Sequence, residues 1–391
     1  MPYKYLGKHH LDGFDKYKYN AVDTSPLSNY VMHPLWDKCI KIFPKWLAPN
    51  LMTFCGFLLL VFNFLLLSYF DWDFYGSSRL HPAYPIVPTY VWITCGVCQF
   101  VAHQLDGMDG KQARRTKSST PLGELFDHGI DSWVAAFMPI ELYSCFSRCE
   151  EDYGKNVFIL FWILWNIVGV FTISHWEKYN TGVLFLPWGY DISQLSLAAV
   201  YLATGIFGYE FWKITVYGFE WRVLLVPLVF FGSAGLSIPQ SLYNIYRGYK
   251  DGTGKMRSFN RAMEPLYPLF ALFALSTIWV YFSPTGILEL QPRIFCLAIG
   301  TINSNIACRL IISQMSDTLC NSFNQLLIPL ALCVVSAFVF HDSTIEVYLL
   351  YSLCTISIVA HVHYASCVVY QLADHFNIHI FSLKKKKERK R

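Results

Sequence analysis

Charge is scarce in this chain. Asp, Glu, Lys and Arg make up 15% of its 391 residues, where a soluble domain carries about 25%. With 54% apolar residues, that shortage excludes an ordinary soluble enzyme and leaves a polytopic membrane protein. Aromatics are the exception at 17%, which fits Trp and Tyr belts at a membrane interface. An early apolar stretch is also missing: residues 1–50 are polar, with Lys and Tyr scattered through them. A cleaved leader is therefore not expected, and insertion should start from the first membrane helix. The 12 cysteines show no paired C-x-x-C metal spacing. Most lie inside apolar runs, such as Cys55, Cys95, Cys98, Cys333 and Cys354, and read as small buried apolar residues rather than a disulfide framework. Cys145 and Cys149 flank a loop and could pair. No nucleic-acid partner is expected.

Ten apolar stretches are long enough to span a hydrocarbon core of about 30 Å at roughly 1.5 Å per residue. They lie near 51–70, 87–105, 130–147, 156–175, 194–212, 223–242, 267–283, 293–313, 325–341 and 345–370. The fold class is thus all-α, with about ten transmembrane helices. With both termini cytosolic, Arg79, Arg148, Lys155, Lys213, Arg222 and Arg293 fall on the lumenal side and the other 25 of the 31 Lys and Arg on the cytosolic side, as the positive-inside rule requires. The expected division is a cytosolic amphipathic segment (1–50), a catalytic six-helix region (51–245), a cytosolic loop (246–266), a four-helix region (267–370) and a basic cytosolic tail (371–391).

The two flanking segments read differently, the first in either of two ways. Trp36, Ile40, Ile42, Phe43 and Trp46 alternate with Lys38, Lys41 and Lys45. They suit either an amphipathic helix on the membrane surface or a helix packed on the protein's own cytosolic face. The tail L-K-K-K-K-E-R-K-R reads as a solvated basic end near anionic lipid.

Against this apolar background, residues 106–131 read D-G-M-D-G-K-Q-A-R-R-T-K-S-S-T-P-L-G-E-L-F-D-H-G-I-D. Asp106 and Asp109 are three apart, Asp127 and Asp131 four apart, so on helices each pair shares a face. Gly107, Gly110, Ala113 and Gly123 leave room for a ligand or another helix. Two facing helices would converge four carboxylates on one cavity. Oxygen ligands without cysteine suit Mg²⁺ or Mn²⁺, and four acids suffice for two ions clamping a phosphoryl displacement. Arg114, two turns after Asp106, can fork onto phosphate oxygens, and Lys111 and Arg115 add positive field. Two other readings are open here: solvated acids paired with these cations, and a cation site in a transporter.

The string fits D-x-x-D-G-x-x-A-R-x8-G-x3-D-x3-D at every fixed position: Asp106, Asp109, Gly110, Ala113, Arg114, Gly123, Asp127 and Asp131. The chain thereby resembles the CDP-alcohol phosphotransferases. F-D-K-Y-K-Y-N-A-V-D (14–23), W-L-A-P-N (46–50), E-L-F-D-H-G-I-D-S (124–132) and S-H-W-E-K-Y-N-T-G-V-L-F-L-P-W-G-Y-D (174–191) are most similar to the eukaryotic ethanolaminephosphotransferase branch. The resemblance implies that diacylglycerol attacks the β-phosphate of CDP-ethanolamine, giving phosphatidylethanolamine and CMP. It implies Asp106 and Asp109 on one metal, and Asp106, Asp127 and Asp131 on a second. Arg114 and Asn50 would contact the nucleotide, with Gly110 and Gly123 lining its site. His128 would be the base for the lipid hydroxyl, with Asp131 as the alternative.

The resemblance further implies a homodimer held by the last four spans, which carry no chemistry of their own. It also implies residence in the endoplasmic reticulum, with the Golgi as the other candidate. Choline-type relatives place a glutamate, implied to tune the catalytic His, where Gln194 stands, so that assistance does not carry over to this chain. Separately, a choline-specific or dual-specificity enzyme is the alternative within the class. Glu177 and Asp191 are candidates to replace that glutamate. His175 and Glu177 read equally as cavity residues or interfacial anchors. His361 and His363 read as packing or helix–helix hydrogen bonds.

Overall fold

The computed structural model describes residues 3–186, 189–213, 215–216 and 219–384. Residues 385–391, most of the basic run in the tail, lie outside them. Among the described residues the chain forms fifteen α-helices: α1 (Lys8–Lys16), α2 (His33–Cys39), α3 (Pro49–Phe70), α4 (Thr89–Thr116), α5 (Pro121–Tyr143), α6 (Val157–Thr181), α7 (Gly189–Phe207), α8 (Trp221–Phe230), α9 (Leu236–Lys250), α10 (Phe259–Met263), α11 (Tyr267–Phe282), α12 (Ile287–Leu290), α13 (Pro292–Ser316), α14 (Leu327–Phe340) and α15 (Ser343–His375). Strand pairing is minimal. Ala21–Val22 runs parallel to Leu184–Phe185 and ties the N-terminal segment to the α6–α7 connection; Thr215–Val216 pairs antiparallel with Phe219–Glu220.

Each of the ten apolar stretches lies largely or wholly in helix, and this is an all-helical membrane protein. Five helical runs are long and apolar enough to cross a bilayer: Pro49–Phe70, Val157–Thr181, Phe259–Phe282, Pro292–Ser316 and Ser343–His375. Length and composition therefore do not by themselves reach ten. Helices α4 and α5 carry the acids and arginines of the motif. The sixth stretch is split into α8, a π-turn at Phe231–Gly235 and α9. Helix α14 has only 14 residues.

Helix ends explain how the motif is presented. Pro49 opens α3 at a position where its missing N–H costs nothing, which puts Asn50 on the first turn. Helix α4 stops at Lys117, whose φ of 57° is left-handed. Thr120 then caps α5, its hydroxyl accepting from Gly123 N–H at 3.2 Å, with Pro121 at N1. The chain so reverses within a few residues, and α3 packs against both α4 and α5.

Helix α13 is the axis of the core. It packs against α5, α6, α11 and α15, and nearly all of its residues are buried. Phe137, Phe161, Leu164, Trp279 and Phe295 fill the largest apolar cluster around it. A helix from region 267–370 thus stands beside α5, one of the two helices that carry the motif. Trp36 and Ile40 pack on Met52 and Met108, so α2 lies on the protein's own surface, while Ile42 and Trp46 are exposed. Cys145 and Cys149 are both free thiols.

Candidate metal and phosphate centre

One carboxylate oxygen from each of Asp106, Asp109 and Asp127 lies within 4.8 Å of the others. Helix α4 supplies the first two and α5 the third. Asp131, one turn further along α5, lies outside this tight trio, although its charge interacts with those of Asp106 and Asp109. Two hydroxyls steady the group: Tyr190 donates to Asp106 Oδ2 at 2.7 Å, and Thr53 donates to Asp109. Neither brings a counter-charge. Asp127 Oδ1 is buried without a hydrogen-bond partner. Like charges this close repel strongly away from bulk water; a cation between them removes the conflict and takes up the orphaned oxygen. An all-oxygen donor set fits a hard divalent ion.

The three neighbouring cations differ in what they do. Lys111 donates to Asp37 at 2.6 Å, and that bond holds the Asp37 carboxyl below its ordinary range. Arg115 donates to the carbonyls of Ile40 and Phe43 at 2.8 and 2.7 Å. Both pin the N-terminal segment to α4. Arg114 is exposed, and its side chain makes no hydrogen bond or ion pair among the described residues. Its guanidinium lies beside Gly110, where an added Cβ would meet Arg114 alone, at 3.5 Å. Its donors are free for a ligand.

The glycines also separate by role. A Cβ at Gly107 would come within 2.2 Å of the Trp36 ring, so this glycine admits the protein's own indole, not a ligand. A Cβ at Gly123 would touch Asn50 Oδ1 at 3.4 Å, placing Asn50 against the start of α5. The Asn50 amide donates to the Ile380 carbonyl at 3.1 Å, and Phe381 packs on Phe54 and Phe126. The tail thus reaches the mouth of the site.

His128 is buried, and its Nε2 lies 3.8 Å from Asp127 Oδ2. Its other ring nitrogen has no partner. The His175 ring lies 5.3 Å away and is held by Gln314 of α13 at 2.9 Å, so His175 belongs to the cavity side of α6. Glu177 turns the other way and accepts from Ser241 and Asn244 of α9. Gln194 accepts from Gln99 at 2.6 Å. Asp191 accepts from Ser28 and lies 3.4 Å from His103. His361 and His363 bond to Ser304 and Tyr5, in keeping with helix packing. Beside the site, Lys178 donates to Glu124 at 2.6 Å and to Tyr17 at 2.8 Å, locking α5, α6 and the N-terminal segment together.

These helices and acids define a membrane-embedded centre whose carboxylates suit a cation and whose free guanidinium suits an anionic group. The CDP-alcohol phosphatidyltransferase family model matches residues 46–226, the stretch that holds every motif position. Ethanolaminephosphotransferase 1 from Homo sapiens is 51% identical over 384 residues, covering 98% of this chain and 96% of that protein. The protein of that name from Mus musculus is 50% identical over 385 residues, with the same coverage. Choline/ethanolaminephosphotransferase 2 from Arabidopsis thaliana is 31% identical over 410 residues, covering 98% of this chain and 99% of that one. The chain belongs to the CDP-alcohol phosphatidyltransferase family, and the transporter reading falls away.

Sequence reasoning missed Thr53, Tyr190 and Gln314. Tyr190 lies in the quoted W-G-Y-D string, but nothing local says that its hydroxyl returns to Asp106 from 84 residues away. Thr53 sits one turn after Asn50 on the same helix face, which was the available signal.

Proposed function

We propose that the chain transfers phosphoethanolamine from CDP-ethanolamine to diacylglycerol, giving phosphatidylethanolamine and CMP. The observation that carries this reading is the aspartate trio at the fixed motif positions, with Asp127 Oδ1 unpartnered and Arg114 free beside it. Full-length similarity to ethanolaminephosphotransferases supports the choice of head group.

Asp106, Asp109, Asp127 and Asp131 would hold two divalent ions, Mg²⁺ or Mn²⁺. When bound, such a pair would neutralise charge developing on the diphosphate. Arg114 forks onto the diphosphate, and Asn50 turns from Ile380 to the nucleotide. Gly110 and Gly123 leave the backbone open to it. The lipid hydroxyl oxygen bonds to the phosphorus that bears ethanolamine, and the bond from that phosphorus to the CMP oxygen breaks. The hydroxyl proton passes to a ring nitrogen of His128, which needs an uncharged imidazole poised for base work. Asp131 is the alternative acceptor. Tyr190 and Thr53 orient the aspartates. Diacylglycerol enters sideways from the bilayer.

The wider reading places the active site and both termini in the cytosol, at the endoplasmic reticulum or the Golgi, with residues 267–370 supporting a homodimer. A dual choline/ethanolamine specificity is the second reading, supported by the plant relative's name. Microsomes containing the protein, given diacylglycerol with labelled CDP-ethanolamine or CDP-choline, decide between them. Labelled lipid from CDP-ethanolamine, dependent on Mg²⁺ or Mn²⁺, is expected; labelled lipid from CDP-choline alone would overturn the ethanolamine assignment.

A further inference from the structure

At the end of the bundle away from the aspartates, two loops meet: residues 71–88, between α3 and α4, and 144–156, between α5 and α6. The first carries His81, the second Cys149 and Glu151. One ligand atom from each lies within 4.8 Å of the others. We propose that His81, Cys149 and Glu151 form a Zn²⁺ site that staples these two loops, separate from the phosphate-handling centre.

The sulfur-to-carboxylate spacing, now bridged by the thiol hydrogen bond, matches one edge of a coordination polyhedron, and an imidazole nitrogen lies within 4.8 Å of both. Zn–S is about 2.3 Å and Zn–O about 2.0–2.2 Å, so a tetrahedral ion sets its sulfur and oxygen ligands about 3.6 Å apart. Cys149 Sγ lies 3.6 Å from Glu151 Oε2. The thiol sulfur is buried while the carboxylate is exposed, which leaves an entry path and a fourth position for water.

The loops hold the ligands in place before any ion arrives. Phe74 carbonyl accepts from Arg148 N–H at 2.9 Å and from Ser147 at 3.0 Å. Asp152 accepts from Ser78 and Lys213, each at 2.7 Å. Both sets join one loop to the other or to the neighbouring connection. Gly154 N–H donates to the Cys149 carbonyl at 2.6 Å. A Cβ at Gly154 would sit 2.4 Å from that oxygen, so the turn that presents Cys149 closes only on glycine. His81 packs on the Tyr75 ring at 4.4 Å, which the Arg148 guanidinium overlies at 5.3 Å.

The donor set selects the ion. A thiolate, an imidazole and a carboxylate together favour zinc over Mg²⁺ or Ca²⁺, in contrast to the oxygen-only aspartates. On binding, the thiol loses its proton to solvent, a Zn–S bond forms, and the two anionic ligands balance the charge of the ion. Sequence spacing concealed the site because its ligands come from two loops and form no paired motif.

The test is a cobalt titration of the purified full chain after chelator treatment. A thiolate ligand gives Co²⁺ a sulfur-to-metal charge-transfer absorption that an all-oxygen centre cannot produce. The band should appear, be displaced by Zn²⁺, and survive in Asp127→Asn. It should vanish in Cys149→Ser, while His81→Ala and Glu151→Gln weaken the affinity by at least about tenfold. Retained turnover in the three loop variants reports that they are folded. No band in the intact chain, or a band that persists in Cys149→Ser, overturns the proposal. If Cys149→Ser does not accumulate, unchanged cobalt affinity in both His81→Ala and Glu151→Gln overturns it equally.

Discussion

Two acidic regions of this molecule, one buried and one half-buried, are built in opposite ways. Glu346, near the start of α15, is buried and accepts from Trp279 and Ser283 at 2.6 Å and from Thr285 at 2.5 Å. Both of its oxygens are satisfied by the protein, and nothing is left for a ligand. The aspartates of α4 and α5 face one another instead, with two hydroxyls for three carboxylates and one orphaned oxygen. A buried charge costs several kcal/mol unless paired. The first region is complete as folded; the second leaves a carboxylate oxygen open to a ligand. The same contrast divides the cations, with Lys111 and Arg115 committed to structure and Arg114 free.

The contrast breaks most sharply at Asp127. Asp127→Asn should lower turnover below detection while leaving the protein folded, checked by labelled-lipid formation and by thermal melting. A near-normal rate would mean that the trio holds no catalytic ion. His128→Ala comes next, with an expected loss of about 10²–10⁴-fold in turnover and unchanged Mn²⁺ binding. If that variant stays active and Asp131→Asn is dead, the proton goes to Asp131. Tyr190→Phe removes only an orienting hydroxyl, so the Mn²⁺ concentration for half-maximal rate should rise about tenfold, with the maximal rate largely recovered at saturating metal.

At Glu346 the readout moves from activity to stability. Glu346→Ala strands three donors, which should cost about 1–3 kcal/mol as a lowered Tm, with the metal requirement unchanged. The smallest effect is at the surface. The Lys111 hydrogen bond holds Asp37 below its ordinary carboxyl range, so its contribution is present at neutral pH and lost as pH falls through the folded-state titration. Asp37→Asn should cost less than about 1 kcal/mol at pH 7, and the Tm difference from the native chain should disappear in acid.

The aspartate trio was legible from local spacing, because helix periodicity and a short turn bring Asp106, Asp109 and Asp127 together, while Asp131 stays outside it. At Gly107 the room is taken by another helix, through Trp36 of α2, 71 residues earlier; which of ligand or helix fills a glycine's space depends on what packs there, and local spacing does not carry that. The Asn50–Ile380 bond spans 330 residues and has no local signature. Helix α13 looked chemically silent, since Gln314 acts only through His175. Its place at the centre of the bundle follows from packing that hydropathy cannot order.

The most direct test is an anomalous-diffraction map of the protein crystallised with Mn²⁺ and CDP-ethanolamine. Two peaks about 3.5–4 Å apart among Asp106, Asp109, Asp127 and Asp131, with Arg114 on the diphosphate, are predicted. Nucleotide bound elsewhere, with no peak between those carboxylates, would contradict it.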